Sequence, residues 1–263
     1  MPEGDTIFRT ATALRSLLLG RRIVAARARV PGPMIEKVVG STVTTIEPRG
    51  KHLVIGFSNG LALHTHLRMR GSWHRYAPGE RWRKAPSQAR VVLEVPEHVV
   101  VCFNAPVAEL LDERALERHP ALAGLGPDLL APVFEIDAAA SRLRRRPELP
   151  VGEALLDQRL VAGLGNVFKS EVLFVERLDP WTPLEALDNE ALRSLLHTAE
   201  GLLRANATPD AGPRTTTLPT SRPRLWVYGR AGRPCLRCRT RIQARRQGSE
   251  NRLTYWCPTC QVR

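Results

Sequence analysis

Four cysteines near the carboxyl end constrain the fold of this chain more than any other feature. They form two Cys-x2-Cys pairs separated by eighteen residues, Cys235 with Cys238 and Cys257 with Cys260. This is the spacing of a four-thiolate zinc ribbon, whereas a disulfide framework would be out of place in a cytosolic protein. A domain of about forty residues cannot build a sufficient apolar core. We therefore expect one structural Zn²⁺ ion to determine the fold of this segment.

The charge of the chain predicts a nucleic-acid partner. Its 39 Lys and Arg residues exceed its 26 Asp and Glu residues, the formal net charge is +13, and arginine supplies most of the cations. Guanidinium groups match the geometry of phosphate oxygens. A genome that favours arginine codons is the alternative explanation. With three Tyr and six Phe residues, the chain has too few aromatic rings for a large platform that stacks single strands.

The length and hydropathy of the chain bound its organisation and location. At 263 residues it is long enough for two or three domains with buried cores. No apolar run approaches the ~20 residues of a membrane span, and the first residues lack the basic-then-apolar order of a secretory signal. We therefore expect a cytosolic protein that does not contact membranes.

The first half of the chain predicts a β-sandwich or barrel that begins with a helix. Apolar and small residues recur at helical spacing from Thr6 to Leu19, and Gly20 ends the pattern. Short β-branched or alternating runs follow, and Asn59-Gly60 predicts a hairpin turn between two of them. These runs are Ile23–Val30, Val43–Ile46, His52–Phe57, Leu61–Leu67, Arg90–Val95 and Val99–Phe103. Cys102, in the last run, is predicted to be a buried small hydrophobe.

After about Leu111 the pattern becomes helical. Gly163-Leu164-Gly165 predicts a tight connection between two helices, and Asn166 is expected to begin the second with its amide facing outward. Such a terminus attracts phosphate, although ordinary helix capping explains the same residues. Residues Ala207–Arg224 contain four prolines and are predicted to be a linker or mobile loop. The predicted helices are Glu113–His119, Ile136–Arg145, Val151–Gln158, Asn166–Arg177 and Asn189–Ala205.

The amino terminus, Met1-Pro2-Glu3-Gly4, is the candidate for chemistry. A small second residue permits removal of Met1, which leaves Pro2 with a terminal secondary amine. An α-amino group titrates at about 7.7–8.0, so a useful fraction is unprotonated near neutral pH and able to attack carbon. Glu3 is placed to supply a proton. The alternative is an ordinary mobile terminus.

Taken together, these features resemble the family of bifunctional DNA glycosylases that contains formamidopyrimidine-DNA glycosylase and endonuclease VIII. The motifs follow the family's order over essentially the whole chain. They are Pro2-Glu3-Gly4, Arg49–Leu53, His66–Trp73, Leu155–Gln158, Gly163–Asn166, Val227–Arg230 and Tyr255–Gln261. The resemblance implies a multi-domain α and β fold. Its parts would be an N-terminal helix plus β-sandwich at residues 2–112, a helix-two-turn-helix domain with linker at 113–220, and a zinc ribbon at 221–263.

The resemblance implies the catalytic residues of a base-excision-repair DNA glycosylase with AP lyase activity. Pro2 would be the nucleophile that forms a Schiff base with the damaged nucleotide. Glu3 would be the acid that assists opening of the sugar ring. Lys51 would hold a phosphate beside the lesion while the strand is cut by β,δ-elimination.

The resemblance also implies DNA contacts, with damaged DNA as the partner. Asn166 and Arg252 match residues that hold phosphates around the lesion. Met69 matches the position that fills the gap left by an extruded nucleotide, and a flexible thioether between the cations Arg68 and Arg70 suits insertion beside phosphates. A core methionine is the alternative for Met69.

Three departures from the formamidopyrimidine branch indicate the endonuclease VIII side and oxidised pyrimidine substrates. Thr6, preceded by Asp5, replaces that branch's second early glutamate. The segment Asn104–Ala108 lacks its Arg and Phe, and Arg214–Leu218 is not followed by its Gly-Tyr-Phe.

Two other functions stay open at this point. The first is removal of oxidised purines, 8-oxoguanine or formamidopyrimidines. The second is a non-catalytic zinc-ribbon protein that binds DNA, which the charge and the cysteines fit equally well. For each we expect a monomer in the bacterial cytoplasm that associates with the nucleoid when it binds DNA.

Overall fold

The computed structural model describes residues 2–218 and 222–262. They form two compact units, Met1–Gly124 and Leu125–Arg263. The second unit contains both the helical segment and the cysteine-rich segment. The three predicted domain ranges stay a prediction, and the boundary between residues 220 and 221 lies outside the described residues.

The first unit contains two antiparallel four-stranded sheets. One sheet has the order β2-β3-β4-β8 and the other the order β1-β6-β7-β5. The strands are β1 Ala25–Ala28, β2 Val43–Arg49, β3 His52–Phe57, β4 Leu61–His66, β5 Ser72–Tyr76, β6 Ala89–Val95, β7 His98–Phe103 and β8 Val107–Asp112. The helices are α1 Gly4–Leu18, α2 Glu113–Glu117 and α3 Pro120–Ala123, with 3-10 turns at Ile35–Val38 and Pro86–Gln88.

One apolar core joins α1 to both sheets. The helix contributes a stripe at spacings of three and four that includes Ile7, Ala11 and Leu14. Alternate residues of each sheet complete the core, for example Ile55 and Val100. The predicted sandwich with a helix at its start is therefore confirmed. Cys102 is fully buried in this core, and burial raises the pKa of its thiol.

Two strands of the first unit were not predicted. Strand β5 has a polar sequence and is held by pairing with β7, which places Trp73 opposite Cys102. Strand β8 contains two acidic residues and pairs with β4, with Leu61 opposite Asp112. Both depend on a partner distant in sequence, which local composition does not reveal. The predicted hairpin at Asn59-Gly60 is confirmed, and Gly60 has φ +81° there.

The second unit contains four helices and a two-stranded hairpin. The helices are α4 Ile136–Arg144, α5 Val151–Ala154, α6 Asn166–Val175 and α7 Asn189–Asn206, with a 3-10 turn at Leu184–Ala186. The hairpin strands are β9 Gln243–Gln247 and β10 Arg252–Trp256, with Arg252 opposite Gln247. Helix α6 is buried from Asn166 to Phe174 because it lies between α7 and β10.

One predicted helix is shorter than expected. Helix α5 ends at Ala154 rather than at Gln158. The Gln158 amide donates to the carbonyls of Leu156 and Leu164, and its oxygen accepts from the Gly163 N–H. These side-chain bonds shape the connection that leads into α6. No helix among the described residues is long and apolar enough to cross a membrane.

Candidate active site and nucleic-acid interface

The amino terminus is anchored at the start of α1. The Glu3 carbonyl accepts hydrogen bonds from the Thr6 and Ile7 N–H groups at 3.0 and 3.1 Å. The side chains of Glu3 and Asp5 are wholly buried, and Pro2 is half-buried. Glu3 does not cap its own helix through its side chain. The positive end of the helix dipole favours negative charge here, so two buried carboxylates are compatible with this terminus.

Lys51 lies in the tight turn between β2 and β3. Arg49 pairs with His52 across the turn, and Gly50 adopts φ +58°, a conformation that glycine accepts without strain. Lys51 is half-buried. The turn therefore fixes the backbone of the predicted phosphate-binding lysine at the end of a hairpin.

The loop between β4 and β5 carries Arg68, Met69 and Arg70. All three are exposed, and Met69 is 61% exposed, which rules out the alternative of a core methionine. Arg68 has φ +45°, an uncommon conformation for a residue other than glycine. The Gly71 N–H donates to the Leu67 carbonyl at 2.8 Å and closes the loop.

Substitution of Gly71 by Ala should destabilise this loop. A Cβ atom at Gly71 would lie 2.6 Å from the Leu67 carbonyl oxygen and 2.7 Å from its Cα, so the backbone must shift. We expect a loss of about 1–3 kcal/mol in the free energy of unfolding. Gly201→Ala is the matched control, since nothing lies within 4 Å of its Cβ position in α7. It should stabilise by about 0.5–1 kcal/mol. Urea unfolding measures both, and an unchanged Gly71→Ala variant would contradict this account of the loop.

Asn166 and Arg252 come together in the second unit. The Asn166 amide donates to the Leu253 carbonyl at 2.8 Å, next to Arg252 on β10. The expectation that this amide faces outward is wrong, because the side chain is only 8% exposed and ties α6 to the hairpin. No donor among the described residues reaches Asn166 Oδ1. Arg252 is half-buried and pairs with Glu250 at 2.9 Å.

A buried lysine close to Asn166 was not predicted from the sequence. Lys169 lies one turn after Asn166 on α6, is wholly buried, and donates from Nζ to the Thr254 hydroxyl at 2.6 Å. Thr254 in turn donates to Gln247 at 2.8 Å. A buried ammonium among apolar neighbours is costly without partners, so this hydrogen-bonded chain stabilises it. The available signal was a lysine in a helix that is mostly apolar from Val167 to Val175.

The cysteine pairs converge on one centre. The four sulfur atoms lie within 4.8 Å of one another, with Sγ–Sγ distances of 4.0 Å for Cys235 and Cys260 and 3.4 Å for Cys238 and Cys257. Tetrahedral zinc with bonds of about 2.3 Å requires sulfurs about 3.8 Å apart. Four cysteines on two knuckles therefore fit one metal ion. Phe174 and Val227 pack around the same cluster.

Glu171, also missed, organises the segment before the cysteines. Its carboxylate accepts hydrogen bonds from the N–H groups of Trp226, Val227 and Tyr228, at 2.7, 2.9 and 2.8 Å, and from the Thr216 hydroxyl. It thus links to α6 both Thr216, inside the predicted proline-rich linker, and the segment that follows the linker. An isolated glutamate in a buried helix is the signal that sequence offered.

A cluster of imidazoles in the first unit is the largest omission from the sequence reasoning. Its members, His52, His64, His66, Glu109 and His119, are called the histidine network below. Burial, and to a lesser degree the neighbouring His66, His64, His119 and Lys51, lowers the pKa of His52 to about 3. Burial, then Arg68, Lys51 and His64, lowers the pKa of His66 to about 4. Both imidazoles are therefore neutral at physiological pH.

These pKa values predict a stability that falls in mild acid. Between about pH 6.5 and the folded pKa values, the unfolded chain binds more protons at His52 and His66 than the folded protein does. Stability is therefore fully present above pH 6.5 and is lost as the pH falls, by at most about 2 kcal/mol per histidine at pH 5. Urea unfolding at pH 7.5 and 5.0 tests this. His52→Gln should lose less stability over this range, and a wild-type stability that does not change would contradict the prediction.

Two family models match this chain in succession. The model described as formamidopyrimidine-DNA glycosylase N-terminal domain matches residues 1–108, and the formamidopyrimidine-DNA glycosylase H2TH domain matches residues 125–217. Curated relatives align along the whole chain. A "Probable endonuclease 8 2" from Streptomyces coelicolor is 44% identical over 100% of this chain and 94% of its own length. A "DNA-(apurinic or apyrimidinic site) lyase Nei2" from Mycolicibacterium smegmatis is 42% identical over 100% and 99%. "Endonuclease 8" of Escherichia coli is 31% identical over 99% and 100%.

Solved structures share the fold. A structure of MutM in complex with DNA containing carbocyclic 8-oxo-G superposes with a TM-score of 0.84 at 22% identity, covering 100% of both chains. The Lactococcus lactis formamidopyrimidine-DNA glycosylase bound to DNA with an AP site gives a TM-score of 0.83 at 22% identity, covering 99% of this chain and 100% of that one.

Proposed function

The chain belongs to the family of formamidopyrimidine-DNA glycosylase and endonuclease VIII, on its endonuclease VIII side, and from that premise we propose how its residues act. It is a base-excision-repair DNA glycosylase with AP lyase activity, and DNA is its partner. Pro2 is the nucleophile of this enzyme. Removal of Met1 is then a condition for activity.

The anchored terminus is the observation that supports this assignment. A mobile end would leave Glu3 in solvent, whereas its carboxylate is wholly buried and its carbonyl holds the first turn of α1. An amine one residue before such a group has a defined position. A protein that only binds DNA has no use for an amine held beside a buried carboxylate.

The reaction follows from the amine. The Pro2 nitrogen attacks C1′ of the damaged nucleotide and the base departs. The proton that the amine loses passes to the Glu3 carboxylate, which returns it to the ring oxygen as the ring opens to an iminium. The iminium withdraws electrons and acidifies the C2′ hydrogens. Elimination then breaks the C3′–O bond and afterwards the C5′–O bond, so both ends of the gap carry phosphate. Water releases the sugar fragment and restores the amine.

Two cations supply phosphate contacts. Lys51 offers a charge from the β2–β3 turn, and Arg252 offers one from the hairpin that Asn166 ties to α6. Met69 fills the space left by the extruded nucleotide, and Arg68 and Arg70 contact the flanking phosphates. Exposure of all three loop residues supports this role.

Zinc is the metal that the four cysteines hold. An all-thiolate donor set with near-tetrahedral sulfur spacing is typical of structural zinc, and no open position remains for substrate. The ion therefore stabilises the segment that presents Arg252. It takes no part in the reaction.

Oxidised pyrimidines are the proposed substrates. The relatives named endonuclease 8 and the departures at Thr6 and Asn104–Ala108 support this choice. A panel of duplexes with thymine glycol, dihydrouracil, 8-oxoguanine or an abasic site, scored for base release and end chemistry, tests it. We expect the pyrimidine lesions to be released fastest with phosphate at both ends. Faster release of 8-oxoguanine would contradict the assignment of oxidised pyrimidines as substrates. Cleavage of the abasic site alone would contradict the proposed glycosylase activity.

A further inference from the structure

The histidine network lies on one face of the sheet β2-β3-β4-β8. His52 pairs with His66 across β3 and β4, and His64 pairs with Glu109 across β4 and β8. The intervening residues, such as Leu53 and Leu63, point into the sandwich core. The network therefore occupies the opposite face. It lies directly between the Lys51 turn, which precedes His52, and the loop of Arg68–Arg70, which follows His66.

One end of the network assigns the protons of three histidines. The Ala121 N–H donates to His119 Nδ1 at 3.3 Å, so the His119 proton is on Nε2, which donates to Glu109 Oε2 at 3.0 Å. His64 Nδ1 also donates to Glu109 Oε2 at 3.0 Å. The remaining His64 nitrogen, Nε2, must then accept the hydrogen bond from His52 Nδ1 at 2.8 Å. This pattern gives each of these ring nitrogens a single role, as donor or as acceptor.

The other end assigns the proton of His66. The Arg68 N–H donates to His66 Nδ1 at 3.2 Å, so this nitrogen is an acceptor and the proton lies on Nε2. The His66 ring packs edge-on against the His52 ring, with centroids 4.6 Å apart. His52 is in turn held by His64. The orientation of His66 is thereby set by the rest of the network.

A metal ion bound by the histidine network is a less suitable explanation of the cluster than hydrogen bonds among its members. Donor atoms of His64, Glu109 and His119 lie within 4.8 Å of one another, which is close enough for a shared ion. A metal on His119 Nε2 would require the proton on Nδ1, where the Ala121 N–H already donates. Two donors would then face each other. The surroundings therefore favour protons over a metal.

The hydrogen bond to His66 acts on the loop that follows it. A side-chain acceptor for the N–H two residues later is the geometry by which Asn and Asp stabilise turns. At Arg68 it stabilises a backbone with φ +45°, a conformation that is strained in residues other than glycine. The closing bond from Gly71 to Leu67 completes the turn. Without the His66 acceptor, we expect the loop to sample several conformations.

We propose that His66 is a positioning residue that holds the Arg68–Met69–Arg70 loop ready for insertion into duplex DNA, with His52, His64, Glu109 and His119 fixing its ring. This inference rests on the proposed role of Met69. In this proposal the histidine network, rather than contacts made by DNA, holds the loop in the conformation that inserts.

Two variants of one residue test the proposal. His66→Asn keeps a side-chain acceptor within reach of the Arg68 N–H, and His66→Leu keeps comparable bulk without it. The substrates are a duplex with dihydrouracil, where a gap must be filled, and a single strand with an abasic site, where none forms. For His66→Leu we expect kcat/KM to fall about tenfold on the duplex and to change little on the single strand. His66→Asn should retain most activity on both.

Deuterium exchange separates this proposal from the proposed function. In the protein alone, residues 67–71 should exchange faster in His66→Leu than in wild type, and near the wild-type rate in His66→Asn. Unchanged exchange in His66→Leu would overturn the positioning role whatever the enzyme does. Equal losses on both substrates, or equal defects in the two variants, would also overturn it. A wild-type protein that cuts neither substrate would refute the proposed function, and the exchange rates would still decide the role of His66.

Discussion

Retention of a single residue in front of Pro2 should lower excision and strand cleavage by roughly 10³-fold or more. An amide nitrogen has no basic lone pair, so it cannot attack C1′ or form an iminium. The rest of the protein should be unaffected, because Glu3 holds α1 through its own carbonyl. The measurement is single-turnover cleavage of a dihydrouracil duplex by protein with an uncleavable N-terminal extension.

The matched control carries the same extension at the carboxyl end and has Met1 removed. It should cleave at the wild-type rate. Binding of an uncleavable abasic analogue should differ little between the two proteins, since the phosphate contacts are assigned to Lys51, Asn166 and Arg252. If the extended protein cuts as fast as the control, another nucleophile acts and the role given to Pro2 is wrong.

Replacement of Cys257 by Ser should unfold the ribbon and abolish cleavage of every substrate. The free energy of structural zinc binding is about 10–16 kcal/mol in small zinc domains, which exceeds what a segment of this size gains from its core. Cys257 is fully buried in the cluster with Phe174 and Val227. Loss of the ribbon displaces Leu253, the partner of Asn166, together with Arg252. Metal analysis, thermal unfolding and DNA binding measure the effect.

Cys102→Ala is the control for this experiment. The residue is equally buried but lies in the sandwich core of the first unit, outside the cysteine cluster. It should retain one zinc ion per chain and bind DNA, and lose about 1 kcal/mol of stability for the small cavity. A Cys257→Ser protein that holds a full equivalent of zinc and binds DNA normally would contradict the structural role of the ion.

Patterns that are local in sequence predicted much of the fold. The stripe in α1, the Asn59-Gly60 turn and the spacing of the cysteines each depend on neighbours a few residues apart, and each matches the structure. Strands β5 and β8 depend on partners far along the chain. Their polar or acidic residues are tolerated because each strand is stabilised by pairing, β5 with β7 and β8 with β4, and local sequence does not specify that pairing.

In the candidate site, too, features set by neighbouring residues were predicted and features set by distant partners were not. Met69 lies on an exposed turn between Arg68 and Arg70, which is compatible with the wedge role proposed for it. The orientation of Asn166 was mispredicted because its amide partner, Leu253, lies 87 residues away. The histidine network was missed because imidazoles from two strands and one loop, and a glutamate from a third strand, meet only after the sheet forms. No spacing of histidines along the chain encodes that meeting.

Mapping of a borohydride-trapped adduct identifies the nucleophile itself. Wild-type protein is mixed with a dihydrouracil duplex, reduced, digested, and sequenced by mass spectrometry. We predict that the sugar fragment is attached to the nitrogen of Pro2, on a peptide that lacks Met1. Attachment to Lys51 or to another lysine, or cleavage of the duplex without any trapped adduct, would contradict the account.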